Sequence, residues 1–460
     1  MTPTIPSGLQ AALEERGLIS VLEPAARAGG AATDGLCRDL AQVDWEMLDR
    51  QRRALGAGPP GASGQLSPPP LAPPSTLEGP ETEAAAARGW EALRAGRVAV
   101  CTVAGGQASR LGFDGPKGAF PLAPVSGASL FQLMAGQVAR LRQRSGAPVP
   151  WIIQTGPDNH DSTQRFFERR SWFGLGRASV RFVCQGTLPA LAPDGGLLLA
   201  SPDRLFRNPD GHGGFYRALR ADGAFRQLRQ AGIDLLFYCQ VDNPLVRMGD
   251  PAFLGHHLLH GAEMSVKVVE KTEAKEKVGL VALVDGVASC IEYSDLPDAL
   301  AGQRAEDGGL RFRAGNIAIH AFGLDFAERV AETDLPLHLA RKQVLALDGG
   351  LVAVARDGVK FETFVFDALP LAARAVVQMC DRAEEFAPVK NRSGGDSVLS
   401  SRQALDRRNR AWLASAGAGI AVPPSGWLEI QAGLALDRAD LAARRGELRP
   451  ACGGRLLRAD

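Results

Sequence analysis

The chain has 460 residues and a formal net charge of +1, long enough for two or three domains and a large core. Its 52 basic side chains are balanced by 51 acidic ones. No global field draws in a polyanion, so nucleic-acid binding is not indicated and any phosphate must be held by local cations. Seven scattered cysteines without a CxxC pair argue for free thiols in a reducing compartment and against a zinc site.

The first residues, from Met1 to Pro3, lack the basic-then-apolar pattern of a secretory leader. Apolar runs such as Gly196 to Ser201 and Asp234 to Cys239 fall well short of the roughly 20 residues a membrane span needs. A soluble, cytoplasmic protein is expected. Leu9, Leu13, Leu18, Val21 and Leu22, then Leu36, Leu40, Trp45 and Leu48, recur near helical spacing and predict a helical cap over about 9–55. The Pro-, Gly- and Ser-rich stretch from Gly56 to Pro80 reads as a linker or surface strap without regular structure.

From about Glu83 the pattern alternates. Strand-like runs at Val98 to Val103, Val149 to Thr155, Val180 to Cys184 and Asp234 to Val241 are interleaved with helix-like Leu130 to Leu141 and Ser162 to Arg169; Ala262 to Val269 alternates apolar and polar. This rhythm predicts an α/β domain with a mostly parallel sheet and helices on both faces. Three regions are expected: a helical cap and Pro-rich linker over 1–82, a catalytic domain over 83–375, and a small C-terminal domain over 376–460 that starts helical near Ala404 to Leu413. Ligands of such sheets bind beyond the carboxyl ends of the strands, so motifs just after strands carry weight.

One segment stands out. The strand ending at Val103 runs into Ala104, Gly105 and Gly106, with Arg110 and Lys117 close behind. Glycines allow positive φ and leave bare N–H groups that hold phosphate oxygens. A guanidinium fork plus a point charge suits a polyphosphate. The spacing matches neither GxxxxGK[ST] nor GxGxxG, and two glycines after a strand also make an ordinary tight turn.

The segment from Val98 to Lys117 resembles the L-x-x-G-G-x-G-T-R-L-G-x-x-x-P-K signature of the UDP-sugar pyrophosphorylases, and most closely their eukaryotic UDP-N-acetylglucosamine branch. Further blocks follow in the family's order: QGTLPA from Gln185, PDGHGGFY from Pro209, YCQVDN from Tyr238, VVEKT from Val268 with Gly279 behind it, IEYS from Ile291, AGNI from Ala314, GVKFETFVFD from Gly358 and EFAPVKN from Glu385. The likeness spans roughly 98–413. It implies a central Rossmann-like, mixed but mostly parallel sheet in a nucleotidyltransferase domain, with an N-terminal helical segment and a small C-terminal domain. It also implies a uridylyltransferase joining UTP to a sugar-1-phosphate.

Residue roles follow from the resemblance. Val103 to Gly106 would lie against the nucleotide, with Arg110 and Lys117 on its phosphates. Gln185 and Gly211 would meet the uracil; a side-chain amide offers the donor and acceptor that an imide edge requires. Asp242, with Asn243 beside it, would hold Mg²⁺ or Mn²⁺, since a carboxylate at a strand end supplies hard oxygen. Gly279, Glu292 and Asn316 would face the sugar, and Lys360 and Lys390 the phosphates. No general base is required, because the attacking sugar-phosphate oxygen is already anionic; cations and positioning carry such catalysis.

Two positions depart from the pattern. Ala108 stands where the family has Gly, and Ala tolerates positive φ poorly. His212 replaces the Asn that contacts the acetylated sugar, as in UDP-glucose enzymes with a G-H-G sequence nearby. Two sugar readings therefore stay open, N-acetylglucosamine-1-phosphate and glucose-1-phosphate or a broader hexose set. A third reading is an inactive sugar-nucleotide binder; Arg110, Lys117, Asp242, Lys360 and Lys390 together argue against it.

Overall fold

The computed structural model describes residues 5–56, 64–293, 295–417, 425–451 and 456–458. The chain divides into two compact units. The larger takes residues 62–184, 215–334 and 366–460; the smaller takes 1–61, 185–214 and 335–365.

The larger unit is organised on a ten-stranded sheet. Val180–Cys184, Trp151–Thr155, Val98–Val103 and Leu235–Gln240 lie side by side and parallel. The three inner strands are buried along nearly their whole length, which is why their sequences are continuous apolar runs rather than alternating ones. Ala314–Gly323 then joins antiparallel to Leu235–Gln240, so the sheet is mixed but parallel at its centre. Helices Leu130–Ser145 and His160–Arg169 follow their strands, and Phe131, Phe167 and Trp151 meet edge-on in the core between helices and sheet. Such aromatic contacts add to the burial of the rings themselves.

Met264–Glu270 pairs antiparallel with Ala314–Gly323 and parallel with Ala375–Cys380. Its sequence alternates, yet every residue but Glu270 is buried. Ser265 lies 2.8 Å from His257, and Lys267 is wholly buried between Asp250 and Glu385. Both polar side chains therefore find partners on the inner face, as buried groups must.

The stretch from Gly56 to Pro80 corrects one expectation. Residues 57–63 lie outside the described residues, but Leu66–Ser67 forms a two-residue strand on Leu280–Val284. Ala72 then exchanges backbone hydrogen bonds with Val377 and Met379 at 2.8 and 3.1 Å. Proline is confined to positions that need no ladder donor, so the intervening residues can still pair at the sheet edge.

In the smaller unit the N-terminal region forms helices Ser7–Glu15, Glu23–Ala28, Gly30–Leu40 and Trp45–Gly56. Their buried leucines share a core with Leu188, Leu191, Leu199, Val359 and Phe361. The long hairpin His338–Leu347 with Ala353–Glu362 belongs to the same unit. Near the C-terminus, helix Val398–Ala416 packs with Arg438–Ala443 and a three-stranded sheet around Leu413, Leu441 and Leu457. Among the described residues, no helix is long and apolar enough to cross a membrane.

Candidate functional site

In the larger unit two neighbouring parallel strands deliver the polar residues. Val103 is paired with Gln240 at the carboxyl ends of Val98–Val103 and Leu235–Gln240. The loop from Ala104 and the turn carrying Asp242 therefore leave the sheet side by side. Lys117 returns on a short 3₁₀ turn, Lys117–Ala119. Its Nζ donates to Asp242 Oδ2 at 3.0 Å, with both side chains only 13% exposed.

The loop is pinned from beneath. Asn159 Nδ2 donates to the Ala104 and Gly106 carbonyls at 2.8 and 3.2 Å, and the Lys117 amide donates to Gly106 O at 3.1 Å. A Cβ built on Gly106 would meet nothing within 4 Å, and its φ lies outside the left-handed range. The positive φ expected of the loop is used at Gly112 (72°) and Gly115 (140°). Ala108 sits at φ −94° and is buried, so an alanine is accommodated there without strain. Arg110 stays exposed, and no hydrogen bond or ion pair joins it to another described residue.

Asn243 is buried and turned inward. Its Nδ2 donates to Glu385 O at 2.6 Å, and its Oδ1 accepts from the Leu245 and Ala387 amides at 3.2 Å. The Val389 amide donates to Asp242 O at 2.9 Å, which sets Lys390 one residue from that contact. Lys390 forms an exposed pair with Asp396 at 3.4 Å, a contact of small energetic weight.

Gly279, Glu292 and Asn316 are brought together. Gly279 O accepts from the Asn316 amide at 2.7 Å, and a Cβ on Gly279 would lie 3.9 Å from Glu292 Oε1. Asn316 Nδ2 contacts Cys290 Sγ at 3.4 Å, and burial pushes the Cys290 thiol pKa well up, so this sulfur stays protonated. The register of Ala314–Gly323 shifts here, with Asn316 opposite Val268 and Ile319 opposite Lys267. Ala318 occupies the bulge at φ 55°, a left-handed conformation that disfavours a residue with Cβ. Its amide donates to Asn316 Oδ1 at 2.9 Å. Bulges of this kind re-aim a side chain, here Asn316.

In the smaller unit Gln185 is buried. Gly211 has φ 87°, and a Cβ there would lie 2.4 Å from Thr363 O, so only glycine fits. His212 Nδ1 accepts from the Val365 amide at 3.0 Å, which assigns the proton of the neutral ring to Nε2. The ring stacks on Phe364 at 4.9 Å, and Phe364 stacks on His338 at 4.0 Å. Lys360 Nζ lies 5.3 Å from the Phe206 ring, within cation–π range.

Sequence reasoning missed Asn159, His338 and the buried Lys267–Asp250–Glu385 cluster. Only Asn159 gave a local signal, an Asx-turn residue between a strand and a helix.

No group of three or more His, Cys, Asp or Glu able to hold a metal occurs among the described residues. Asp242 belongs to no such group. That fits Mg²⁺ held by one protein oxygen with substrate phosphates and water, and does not fit an all-protein cage.

A family model described as UTP–glucose-1-phosphate uridylyltransferase matches residues 74–414. The mouse UDP-N-acetylhexosamine pyrophosphorylase-like protein 1 is 38% identical over 344 residues, 72% of this chain and 68% of the relative. The UDP-N-acetylglucosamine pyrophosphorylase of Saccharomyces cerevisiae is 36% identical over 346 residues, 72% of each chain. In structure, the uridine diphosphate N-acetylglucosamine pyrophosphorylase of Trypanosoma brucei superposes with a TM-score of 0.81 at 24% identity, over 95% of this chain and 94% of that one, a likeness of fold.

Proposed function

The chain belongs to the UTP–glucose-1-phosphate uridylyltransferase family, and from that premise we propose that it joins UTP to N-acetylglucosamine-1-phosphate. The products are UDP-N-acetylglucosamine and pyrophosphate. One observation carries the choice of sugar: the mouse and yeast relatives, 38% and 36% identical over 72% of the chain, bear N-acetylhexosamine and N-acetylglucosamine names.

A sugar-phosphate oxygen attacks the α-phosphorus of UTP. The new P–O bond forms as the bond to the bridging oxygen breaks, and pyrophosphate leaves with that electron pair. The nucleophile is already anionic, so the protein's task is to bring two anions together and offset their charge. Arg110, exposed on the loop, and Lys117, oriented by Asp242, supply cations for the triphosphate. Val103, Ala104, Gly105 and Gly106 offer backbone to the nucleotide, and Gln185 and Gly211 read the uracil. Lys360 and Lys390 neutralise phosphate oxygens. Gly279, Glu292 and Asn316 bind sugar hydroxyls, and Asn243 fixes the turn that carries Asp242. Asp242 would also hold Mg²⁺ or Mn²⁺, which when bound adds charge stabilisation at the phosphates. Cys37, Cys101, Cys239, Cys290 and Cys380 are free thiols, in keeping with a cytoplasmic setting.

His212 favours a second reading, a glucose-1-phosphate or broader hexose enzyme. Its imidazole is held flat on Phe364, where the acetylated-sugar pattern has an asparagine.

Phosphorus NMR of UTP, N-acetylglucosamine-1-phosphate and Mg²⁺ with the enzyme tests the proposal. Paired pyrophosphate and UDP-sugar signals are expected. UTP that stays intact with every sugar-1-phosphate tried would leave the inactive binder as the better account.

A further inference from the structure

Strand Met264–Glu270 carries one charged side chain into the core, that of Lys267. Its ammonium donates to Asp250 Oδ2 and to Glu385 Oε2. Burial pulls the Lys267 pKa down, but the two carboxylates outweigh it and hold the group above its ordinary value. A charge this deep costs desolvation that an apolar residue would avoid. Two links lead from it to the groups that face the substrates.

The phosphate side is reached through Glu385. Glu385 Oε1 has no hydrogen-bond partner among the described residues, so Lys267 is the hydrogen-bonding anchor of that side chain. The backbone from Glu385 onward then follows the turn that carries Asp242. Glu385 O accepts from Asn243 Nδ2 at 2.6 Å, the Ala387 amide donates to Asn243 Oδ1 at 3.2 Å, and the Val389 amide donates to Asp242 O at 2.9 Å. Lys390 comes next in the chain. Holding Glu385 therefore holds Asp242 and Lys390 in one register.

The sugar side is reached through the strand itself. Its ladder with Ala314–Gly323 shifts between Lys267 and Val268, so that Ile319 faces Lys267 and Asn316 faces Val268. The bulge that brings Asn316 to Gly279 thus begins at the Lys267 backbone. Register is the property a buried charge specifies best. A one-residue slip of this strand would carry the ammonium to the opposite face and strip Glu385 of its partner. Asp250 depends on Lys267 less, because Ser75 Oγ also donates to it and Arg247 lies 3.9 Å away. The Lys267–Glu385 pair is therefore the contact on which both links depend.

We propose that Lys267 is a positioning residue: through Glu385 it fixes the segment that holds Asp242 and Lys390, and through its strand it fixes the bulge that aims Asn316. It sets the phosphate-facing and sugar-facing groups relative to one another. This role rests on the uridylyl transfer proposed above.

The test uses the full chain and the double variant Lys267→Met with Glu385→Met. Asp250 keeps Ser75 and Arg247, and exchanging a whole buried pair for apolar residues of similar volume is well tolerated, so the variant is expected to fold. Measured well below its Tm, kcat should fall by about 10²-fold, the loss that a misplacement of about 1 Å brings. KM for UTP should change little, because Gln185 and Gly211 are untouched. Hydrogen exchange should quicken at the Ala387 and Val389 amides and stay unchanged in strand Val98–Val103. If the double variant does not fold, Glu385→Met takes its place with the same expectations, since Lys267 then keeps Asp250. Wild-type kcat in the variant, or wild-type exchange at Ala387 and Val389, would overturn the positioning role and leave the reaction standing. A wild type that turns over no sugar-1-phosphate would overturn the reaction, and the positioning role with it.

Discussion

Lys117 and Asp242 stand 125 positions apart in the chain and meet at 3.0 Å. The carboxylate orients the ammonium before any substrate arrives. Lys117→Met should therefore lower kcat by about 10²–10³, the usual loss when one preorganised charge donor is removed. Steady-state kinetics with kcat and KM separated would check it; a change confined to KM would make Lys117 a simple binding residue. Gly211→Ala should unfold at lower temperature, because the added Cβ meets Thr363 O at 2.4 Å in a left-handed backbone. A Tm equal to wild type would contradict that geometry. His257 supplies a pH signature. Burial holds its pKa at about 4 against an ordinary 6.5, and His256 is lowered in the same direction. The unfolded imidazole takes its proton near pH 6.5 and the folded one only near 4, so stability falls as pH drops through that window. The full effect of His257 is about 3 kcal/mol. Denaturant midpoints at pH 7 and 5 should diverge less in His257→Gln than in wild type; an equal divergence would shift the cause elsewhere. The sequence named Lys117 and Asp242 through their motifs, but their pairing became visible only once the two strands lay in register.

Among the elements, the parallel strands were legible because burial on both faces leaves a continuous apolar run. Val98–Val103 and Val180–Cys184 match the sequence reading at both ends. Leu66–Ser67 was hidden by surrounding prolines, whose composition argues against a strand although two residues suffice at an edge. Met264–Glu270 was ambiguous for another reason. Lys267 looks like an exposed position, and its partners Asp250 and Glu385 come from remote segments that no local pattern connects. Lys267→Met should destabilise the larger unit by about 3–5 kcal/mol, since two buried carboxylates lose their common cation. Chemical denaturation reads this directly, and a loss below about 1 kcal/mol would mean that the pair is solvated. The bulge at Ala318 was not legible at all. It depends on the register against Lys267 and Val268, and it places Asn316 beside Gly279.

At the scale of the molecule, the smaller unit gathers three separate stretches of chain. Leu36, Leu40 and Leu48 announced helices, but that they share a core with Leu191, Val359 and Phe361 is a matter of side-chain fit, which spacing does not encode. The ordered blocks from Val98 to Asn391 made the family legible, because each holds a backbone turn or a charged side chain at a fixed place in the fold. A divalent cation should be required for turnover. EDTA should abolish pyrophosphate release, and Mg²⁺ or Mn²⁺ should restore it; full activity in chelator would remove the metal role from Asp242. The preferred sugar is decided by kcat/KM for N-acetylglucosamine-1-phosphate and glucose-1-phosphate with UTP and Mg²⁺, measured side by side on one preparation. A clear preference for the acetylated sugar is expected, with His212 tolerated. A preference for glucose-1-phosphate would contradict it and make His212 the mark of a hexose enzyme.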